Sequence, residues 1–550
     1  MKKKFAWPGW ASVFLIAAAG LVAYSGSFQG VFLLDDCWNV TGNPSIHALW
    51  PPWKPFMAEA GKTGMAGRPV ANFTFAVNYA VSGLNVWSFH ALNLLIHITA
   101  ACLLFGIVSR TLSQGGLAKK YGGARKAAAL ACGLVFVLHP LNTQAVTYIT
   151  QRCESLMGMF CFAVFYLAIR GWQAKRPWPW HLGAALAFVL GAGCKEVIAS
   201  APFLVLLYDV VFLRKKLLRA LASSKVLYGG LAVGLLFQAM LILSGGTMAA
   251  ASHPADMPLV AYLSAQPKVI FHYLRLAFWP SVLCFDYYGY HIPQSSEAIA
   301  IALALFVLVA ATAWALWRRK PAGFLGAWFF VFLAPSSSFW PLFHVAEEYR
   351  MYVPLAAVIV LAVFTLYAMG LWAARHVAWM RGAWLGTLAL LVLVAASAAM
   401  GTATFLRNRD YHSAEKIWAD TVRKRPDNPF AIRNLADVYF EQGWFRQAIP
   451  LYLKSLSIKQ NQHQVHYNLG VALFRLGKLK EAALCFKNAL ALKPDDPDAW
   501  YNLGMTLLEL GGNREAVFAL KHAQRLQPEA QDVAEALKAA RAAMNLKAGS

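Results

Sequence analysis

The sequence predicts an all-α protein in two parts: a polytopic membrane region of about eleven helices over residues 1–406, and a C-terminal helical-repeat solenoid over 407–550. Three observations predict it. Hydrophobic residues make up 59% of the chain and charged residues 14%, with a mean hydropathy of +0.47, a composition whose natural solvent is lipid. Apolar stretches long enough to cross a bilayer recur as far as Phe405. Beyond it the chain turns charged and amphipathic, with a 34-residue period.

The apolar segments fall near 8–27, 89–109, 127–146, 154–170, 181–194, 197–213, 226–244, 298–317, 323–339, 352–373 and 383–405. The first follows Lys2–Lys4 with no clear small-residue cleavage site before Phe28, so it reads as an uncleaved signal-anchor helix. If those lysines stay in the cytoplasm, the inner connections carry Arg110, Lys119, Lys120, Arg125 and Lys126, then Arg170 to Arg176, Arg214 to Lys225, Arg318 to Lys320, Arg375 and Arg381, and no Asp or Glu. Nearly all the acids of the membrane region fall on the other side: Asp35, Asp36, Glu59, Glu154, Glu196, Asp256, Asp286, Glu297, Glu347 and Glu348. The positive-inside rule then sets the N-terminus inside and the C-terminus outside. The stretch 266–283 is apolar enough to span, but counting it would put Arg318 to Lys320 outside; it is expected to be an interfacial or re-entrant helix on the outer face.

The same bookkeeping disposes of the net charge of +24, which lies in short runs between apolar segments and therefore points to membrane topology and away from nucleic acid. The eight cysteines show no CxxC pair and no zinc-type spacing and read as small core residues.

In the C-terminal part, repeats starting at 429, 463 and 497 align Leu435, Leu469 and Leu503, the small residues Ala436, Gly470 and Gly504, and then Ala448, Ala482 and Ala516. Pro494 and Pro528 close two units. This resembles the tetratricopeptide repeat, whose paired helices need small residues where they cross. Ala414, Trp418 and Pro426 sit where the second helix of a preceding half repeat would lie, so the last membrane helix is expected to run almost directly into the array.

Ionisable groups at membrane depth are costly and mark function. On the outer side they form four groups. The first loop has Asp35-Asp36 and then Arg68, Asn72 and Asn78, while His90, Asn93 and His97 share one helix face. For those last three, interhelical hydrogen bonding competes with a functional role, and is preferred for His97. The second group, "HPLNTQAVTYITQRCES", breaks a span at His139-Pro140 and carries Gln151, Arg152 and Glu154. Arg152 is a candidate phosphate ligand, an ion pair to Glu154 being the alternative. The third is Lys195-Glu196, in a hairpin so short that the charges should lie against other helices. The fourth, "FHVAEEYRMYVP", returns Glu347, Glu348, Arg350 and Tyr352, and its arginine can hold a phosphate. A carboxylate pair with Arg68, Arg152, Lys195 and Arg350 suits transfer from a lipid-linked phosphate, the acid accepting a proton and the cations stabilising the leaving group. There is no Walker loop, HExxH or GxSxG, which disfavours ATP-driven transport and hydrolase chemistry.

In order along the chain, "LLDDCWNVTGNPSI", "GRPVANFTFAVNYAVSGLNVWSFHALNLLIH", "FVLHPLNTQAVTYITQRCESL", "GCKEVIASAPFLVLLYD" and "AEEYRMYVP", followed by the repeats, resemble the transmembrane and tetratricopeptide-repeat (TMTC) O-mannosyltransferases and their bacterial relatives. The resemblance implies a GT-C glycosyltransferase fold acting on the extracytoplasmic side with a polyprenyl-phosphate sugar as donor. It implies that Asp35 and Asp36 are the catalytic acids and maps the family's arginines onto Arg152 and Arg350, or onto Glu348 and Arg350 around Tyr349; from the grouping of charged turns, Lys195 and Arg68 are expected to join the two arginines at the donor phosphate, with His90, Glu154, Glu196 and Glu348 in support. The chain reads Glu347-Glu348-Tyr349-Arg350 where relatives usually show a Glu-Arg-Tyr order.

The expectation is an inverting-type transfer of one sugar, mannose or another monosaccharide, to a protein Ser or Thr hydroxyl, with the repeats holding the acceptor. The expected setting is a bacterial inner membrane with periplasmic repeats. The partners are the lipid-linked donor, a protein acceptor and membrane lipid, with no nucleic acid. The alternatives are a same-fold enzyme modifying a lipid or envelope glycan, and a non-catalytic scaffold presenting the repeats. No cofactor is expected as obligate, a divalent Mg or Mn ion at Asp35/Asp36 being the open option. Of the two acids, Asp36 is favoured as the base, with Asp35 positioning the acceptor or a cation.

Overall fold

A computed structural model describes residues 8–59, 61–213, 216–244, 258–288, 295–337, 342, 344–376 and 383–548. Lys2–Lys4, Arg214, Lys215, Asp256 and Arg381, which enter the charge argument, lie outside the described residues. All regular elements among the described residues are helical. The chain forms two compact units: one runs to Phe285 and resumes through Ser413, and the other takes Asp286 to Tyr288 together with the chain from Ala414.

The main helices of the first unit are α1 (Gly9–Ala23), α2 (Pro69–Ser82), α3 (Trp87–Thr111), α4 (Arg125–Leu138), α5 (Arg152–Gln173), α6 (Trp178–Ala192) and α7 (Ala201–Phe212). They continue as α8 (Lys225–Leu243), α9 (Leu259–Phe278), α10 (Ser295–Trp317), α11 (Pro321–Leu333), α12 (Pro354–His376) and α13 (Ala383–Asp410). Among the described residues, seven helices are long and apolar enough to cross a membrane, and up to nine if each of two bent pairs is one span. The expected eleven is not reached on this measure, because α6 has 15 residues and α11 only 13. At 1.5 Å per residue such helices run about 20 Å, short of a hydrocarbon core of about 30 Å. The stretch expected near 266–283 is α9, which starts earlier, buries Tyr262, Val269, Tyr273 and Leu276 along one side, and is not among the helices that meet the requirements of a span.

Between α4 and α5 the helix is broken. His139 is extended, Pro140–Asn142, Thr143–Thr147 and Ile149–Gln151 are short turns, and every residue from Phe136 to Gly158 is buried. Pro140 removes one N–H and disfavours helical backbone before it, so carbonyls of the preceding turn need other donors. Asn142 Nδ2 donates to Phe136 O at 2.8 Å, the His139 Nε2–H reaches Ala277 O at 3.0 Å, and Thr404 Oγ1 donates to Leu138 O at 2.7 Å. A break at this depth is possible only because protein groups replace the lost helix bonds.

The second unit is a stack of paired helices. After α14 (Ala414–Lys424) come α15 (Pro429–Glu441) with α16 (Phe445–Ile458), α17 (His463–Arg475) with α18 (Leu479–Leu492), and α19 (Pro497–Glu509) with α20 (Asn513–Leu526), closed by α21 (Gln531–Ala548). The pairs begin at the three residues where the repeats were expected. Ala436, Ala448 and Ala482 are fully buried in one cluster with Leu469, Phe486 and Leu503, and Ala516 in another with Leu520 and Leu537. Gly443, Gly477 and Gly511 end the first helix of each pair at φ of 75°, 73° and 78°, the left-handed conformation glycine adopts without steric cost. A Cβ on Gly504 would stand 2.6 Å from Leu520 Cγ and 3.3 Å from the Leu520 backbone N. Gly504→Val is therefore expected to destabilise the last pair by about 1–3 kcal/mol, read as loss of hydrogen-exchange protection over 497–526 in the full chain.

Candidate active site

The turn that carries the two acids is built by the acids. Asp36 N donates to Leu33 O at 2.8 Å, and Leu33 N donates back to Asp36 Oδ2 at 2.9 Å. The turn is tight enough to hold Leu34 at φ 39°, a left-handed conformation that non-glycine residues rarely adopt. Such backbone persists only where surrounding structure over-determines it. Here the other Asp36 oxygen is anchored as well: Oδ1 accepts from Thr150 N at 2.7 Å and from the Thr150 hydroxyl. Asp36 is 0% exposed. Desolvation pushes its carboxyl up to about 7, against the hydrogen bonds from Thr150 and Leu33 and with the neighbouring Asp35 charge adding to the rise.

Asp35 has the opposite setting. It is exposed, and its backbone N–H donates to the Tyr148 hydroxyl at 2.9 Å. Its carboxyl is raised by the protein around it, with His344, the Tyr148 hydroxyl and Arg68 pulling the other way. The two carboxylates therefore do not converge. The open option of a divalent ion held by the pair does not fit the donor set, because both Asp36 oxygens already accept hydrogen bonds from the protein.

The cations sort in the same way. Arg152 is 0% exposed, and the expectation that it holds a phosphate is corrected by its surroundings. Its Nε donates to Asn93 Oδ1 at 2.5 Å, Nη1 to Asn78 Oδ1 at 2.5 Å and Thr74 Oγ1 at 3.3 Å, and Nη2 to Phe89 O at 2.9 Å. The guanidinium stacks 4.4 Å from the Phe75 ring centroid. Its donors are spent on α2 and α3, and the alternative ion pair to Glu154 is absent as well, since Glu154 meets Lys195 at 2.6 Å. Arg350, 8% exposed, turns its Nη1 and Nη2 onto Val345 O and His344 O at 3.1 and 2.7 Å and closes its own loop. Two of its five N–H donors are thus used within its own loop.

Arg68 and Lys195 are the least buried of the four predicted cations, with side chains 20% and 13% exposed. Arg68 Nη2 lies 3.8 Å from Glu196 Oε2, a loose contact with side chains 20% and 40% exposed, and its Nε has no hydrogen-bond partner among the described residues. Lys195 Nζ, besides its contact to Glu154, lies 4.7 Å from the Tyr349 ring centroid. The Lys195-Glu196 hairpin thus lies against both the first and the second loop, as its shortness required.

The remaining predicted residues are architectural. Glu348 is 0% exposed and accepts from Cys284 N at 2.5 Å. His90 is buried, with its Nε2 3.4 Å from Gly30 O, and His97 bridges the Tyr352 hydroxyl at 2.9 Å and Val137 O at 3.2 Å. The shared face of His90, Asn93 and His97 is thus a buried seam. Tyr148, Thr150, Gln144 and His344 were not singled out from sequence. Gln144 ties the second group to the fourth, donating to Glu347 Oε2 at 3.0 Å and accepting from Tyr349 N at 3.0 Å. The usable signal was position: the first three lie inside the broken segment, where each buried polar side chain needs a partner.

Models of the TPR repeat match residues 436–477 and 472–511, and one of the tetratricopeptide repeat matches 497–529. Protein O-mannosyl-transferase TMTC2 of Homo sapiens is 29% identical over 226 residues, covering 38% of this chain and 25% of that protein. Protein O-mannosyl-transferase TMTC4 of Homo sapiens is 26% identical over 421 residues, covering 66% of this chain and 56% of that protein. The chain therefore matches less than two thirds of the length of either relative. Among solved structures, the crystal structure of MamA protein is 21% identical over 26% of this chain and 77% of that chain, with a TM-score of 0.24. By sequence the chain is TMTC-like and carries tetratricopeptide repeats.

Removing the Asp36 side chain would leave three donors of Leu33 and Thr150 without an acceptor, each orphaned group costing about 1–3 kcal/mol. Asp36→Ala is expected to lower the unfolding temperature in detergent by several degrees, whereas Asp35→Ala leaves it near that of the parent chain.

Proposed function

We propose that the chain is a membrane glycosyltransferase that moves a monosaccharide from a polyprenyl-phosphate donor to a Ser or Thr hydroxyl of a protein on the extracytoplasmic face, with a GT-C fold and with Asp35 as the general base. The observation that carries the assignment is the contrast within the acidic pair: Asp35 is exposed, whereas both Asp36 oxygens are taken by Leu33 and Thr150. Reach precedes pKa in choosing a base. A buried carboxyl near 7 is well tuned for proton transfer, yet it serves nothing that cannot touch it. The proposal thus reverses the order favoured from sequence and makes Asp36 the residue that positions Asp35. The relatives support the sugar class, since both are named protein O-mannosyl-transferases.

In this reading the acceptor hydroxyl oxygen attacks the anomeric carbon, and the bond from that carbon to the phosphate oxygen breaks. The hydroxyl proton passes to Asp35, and the electron pair leaves with the polyprenyl phosphate. Charge growing on that leaving group is stabilised by Arg68 and Lys195, the two least buried of the predicted cations. Glu196 and Glu154 orient them, and Arg152 fixes α2 and α3 beneath the acidic turn. The repeats hold the protein acceptor.

With a polyprenyl-phosphate sugar and membranes holding the full chain, Asp35→Asn is expected to reduce transfer by roughly 10²–10⁴-fold while the protein stays folded. Undiminished transfer would remove Asp35 from the mechanism. Arg68→Gln and Lys195→Gln are expected to raise the KM for the donor. Protonated Asp35 cannot accept a proton, so activity rises with pH. Because its carboxyl is raised, the rise should lie above the ordinary aspartate value of about 4. A rate that does not rise with pH anywhere above about pH 4 would contradict the assignment.

A further inference from the structure

A large cavity of the first unit lies far from the acidic turn. Its volume is about 1190 Å³ and it is walled by α3, α5, α7, α11 and α12. His90 and Thr111 mark the two ends of α3, and twenty-one residues at 1.5 Å each put them about 32 Å apart. The acidic turn belongs to the His90 end, and the cavity reaches Thr111 and Gln114.

The lining changes character along its length. Leu104, Val108, Phe165, Trp328 and Val360 make an apolar depth. Towards the mouth α3 offers Thr111, whose hydroxyl meets that of Tyr208 at 2.8 Å, and the rim is Lys120, Arg318, Arg319 and Lys320. No Asp or Glu lines the cavity, and none of the four rim cations pairs with a carboxylate among the described residues. All four are exposed.

The rim also contains a backbone outlier. Arg319 sits at φ 50° in the turn between α10 and α11, donating to Leu316 O at 2.8 Å while Lys320 N donates to Ala315 O at 2.8 Å. This is a helix-ending turn in which glycine is the low-cost residue, and a non-glycine there carries a penalty of about 1–2 kcal/mol. The turn places Arg319 between two further cations at the mouth of the apolar cavity.

We propose that this cavity binds an anionic phospholipid of the surrounding leaflet, with an acyl chain between α3, α11 and α12 and the phosphate among Lys120, Arg318, Arg319 and Lys320. The apolar depth with a cationic, carboxylate-free rim is complementary to an amphiphile of net negative charge. The basic connections that set the topology argument thereby acquire a second task, holding a structural lipid at the end of the unit opposite the acidic turn. The inference is independent of the transfer reaction.

The test uses the full chain in detergent, titrated with phosphatidylglycerol, phosphatidylcholine or polyprenyl phosphate, with bound lipid read by native mass spectrometry and stability by thermal unfolding. Phosphatidylglycerol should be retained and should raise the unfolding temperature, and phosphatidylcholine should do neither. Arg318→Gln, Arg319→Gly and Lys320→Gln together should weaken retention roughly a hundredfold, each cation near a lipid surface contributing about fivefold. Arg319→Gly alone relieves the turn, so it should raise the stability of the lipid-free protein while weakening lipid retention, a pairing that a purely structural turn would not produce. Val360→Trp, which leaves the rim intact and fills the depth, should also reduce retention. Equal retention of phosphatidylcholine, or retention unchanged in both the rim and the Val360→Trp variants, would overturn the proposal. Retention of polyprenyl phosphate with exclusion of phosphatidylglycerol would overturn the choice of lipid.

Discussion

The first unit depends on one constraint, the need to satisfy a broken and completely buried stretch of backbone between His139 and Gln151. Pro140 forbids a continuous helix there, and a buried polar group without a partner costs as much as a lost hydrogen bond or more. The partners come from every other part of the unit. Asn93 on α3 donates to Val146 O, Asn408 on α13 accepts from Thr147 at 2.5 Å, Asp36 in the first loop accepts from Thr150, and Glu347 in the last loop accepts from Gln144. The segment is thus a hub to which remote loops are fastened by hydrogen bonds, which are directional and fix register, whereas apolar contacts alone would let the loops slide.

The division of labour among the ionisable groups follows from this hub. Groups taken up in buried hydrogen bonds, at the hub or beside it, lose their access: Asp36 to Thr150, Arg152 to the asparagines of α2 and α3, Glu348 to the backbone at Cys284. Groups one position along, or on the facing loop, are less buried, as Asp35, Arg68 and Lys195 are. Burying an arginine among neutral amides and aromatic rings is costly, and it is tolerated here because nearly every N–H has a named acceptor. That expenditure makes sense if the position of the acidic turn, and not the charge of Arg152, is what matters.

Much of the fold was legible. The 34-residue period placed the paired helices at Pro429, His463 and Pro497, because each repeat must put a small residue where its helices cross, and the structure starts a helix at each of these positions. The break at His139-Pro140 was legible because proline has no N–H. The early end of α11 at Leu333 was not, since hydropathy averages over a window and does not report where a helix ends. Within the site, the grouping of charged turns was readable, but the direction of each side chain was not. Asp35 and Asp36 are adjacent and chemically identical in the sequence. Nothing in "LLDDCW" shows that the first faces out and the second bonds Thr150, a residue 114 positions away.

By itself the sequence determined composition-level facts: helices in an apolar solvent, a repeat array after Phe405, and which residue types could handle a proton or a phosphate. These follow from local periodicity and from the cost of charge in lipid, which act on neighbours in the chain. Tertiary structure alone decided which of those residues are reachable. Access depends on hydrogen bonds closed between residues far apart in sequence, and such a bond uses up the donor or acceptor that chemistry would otherwise employ.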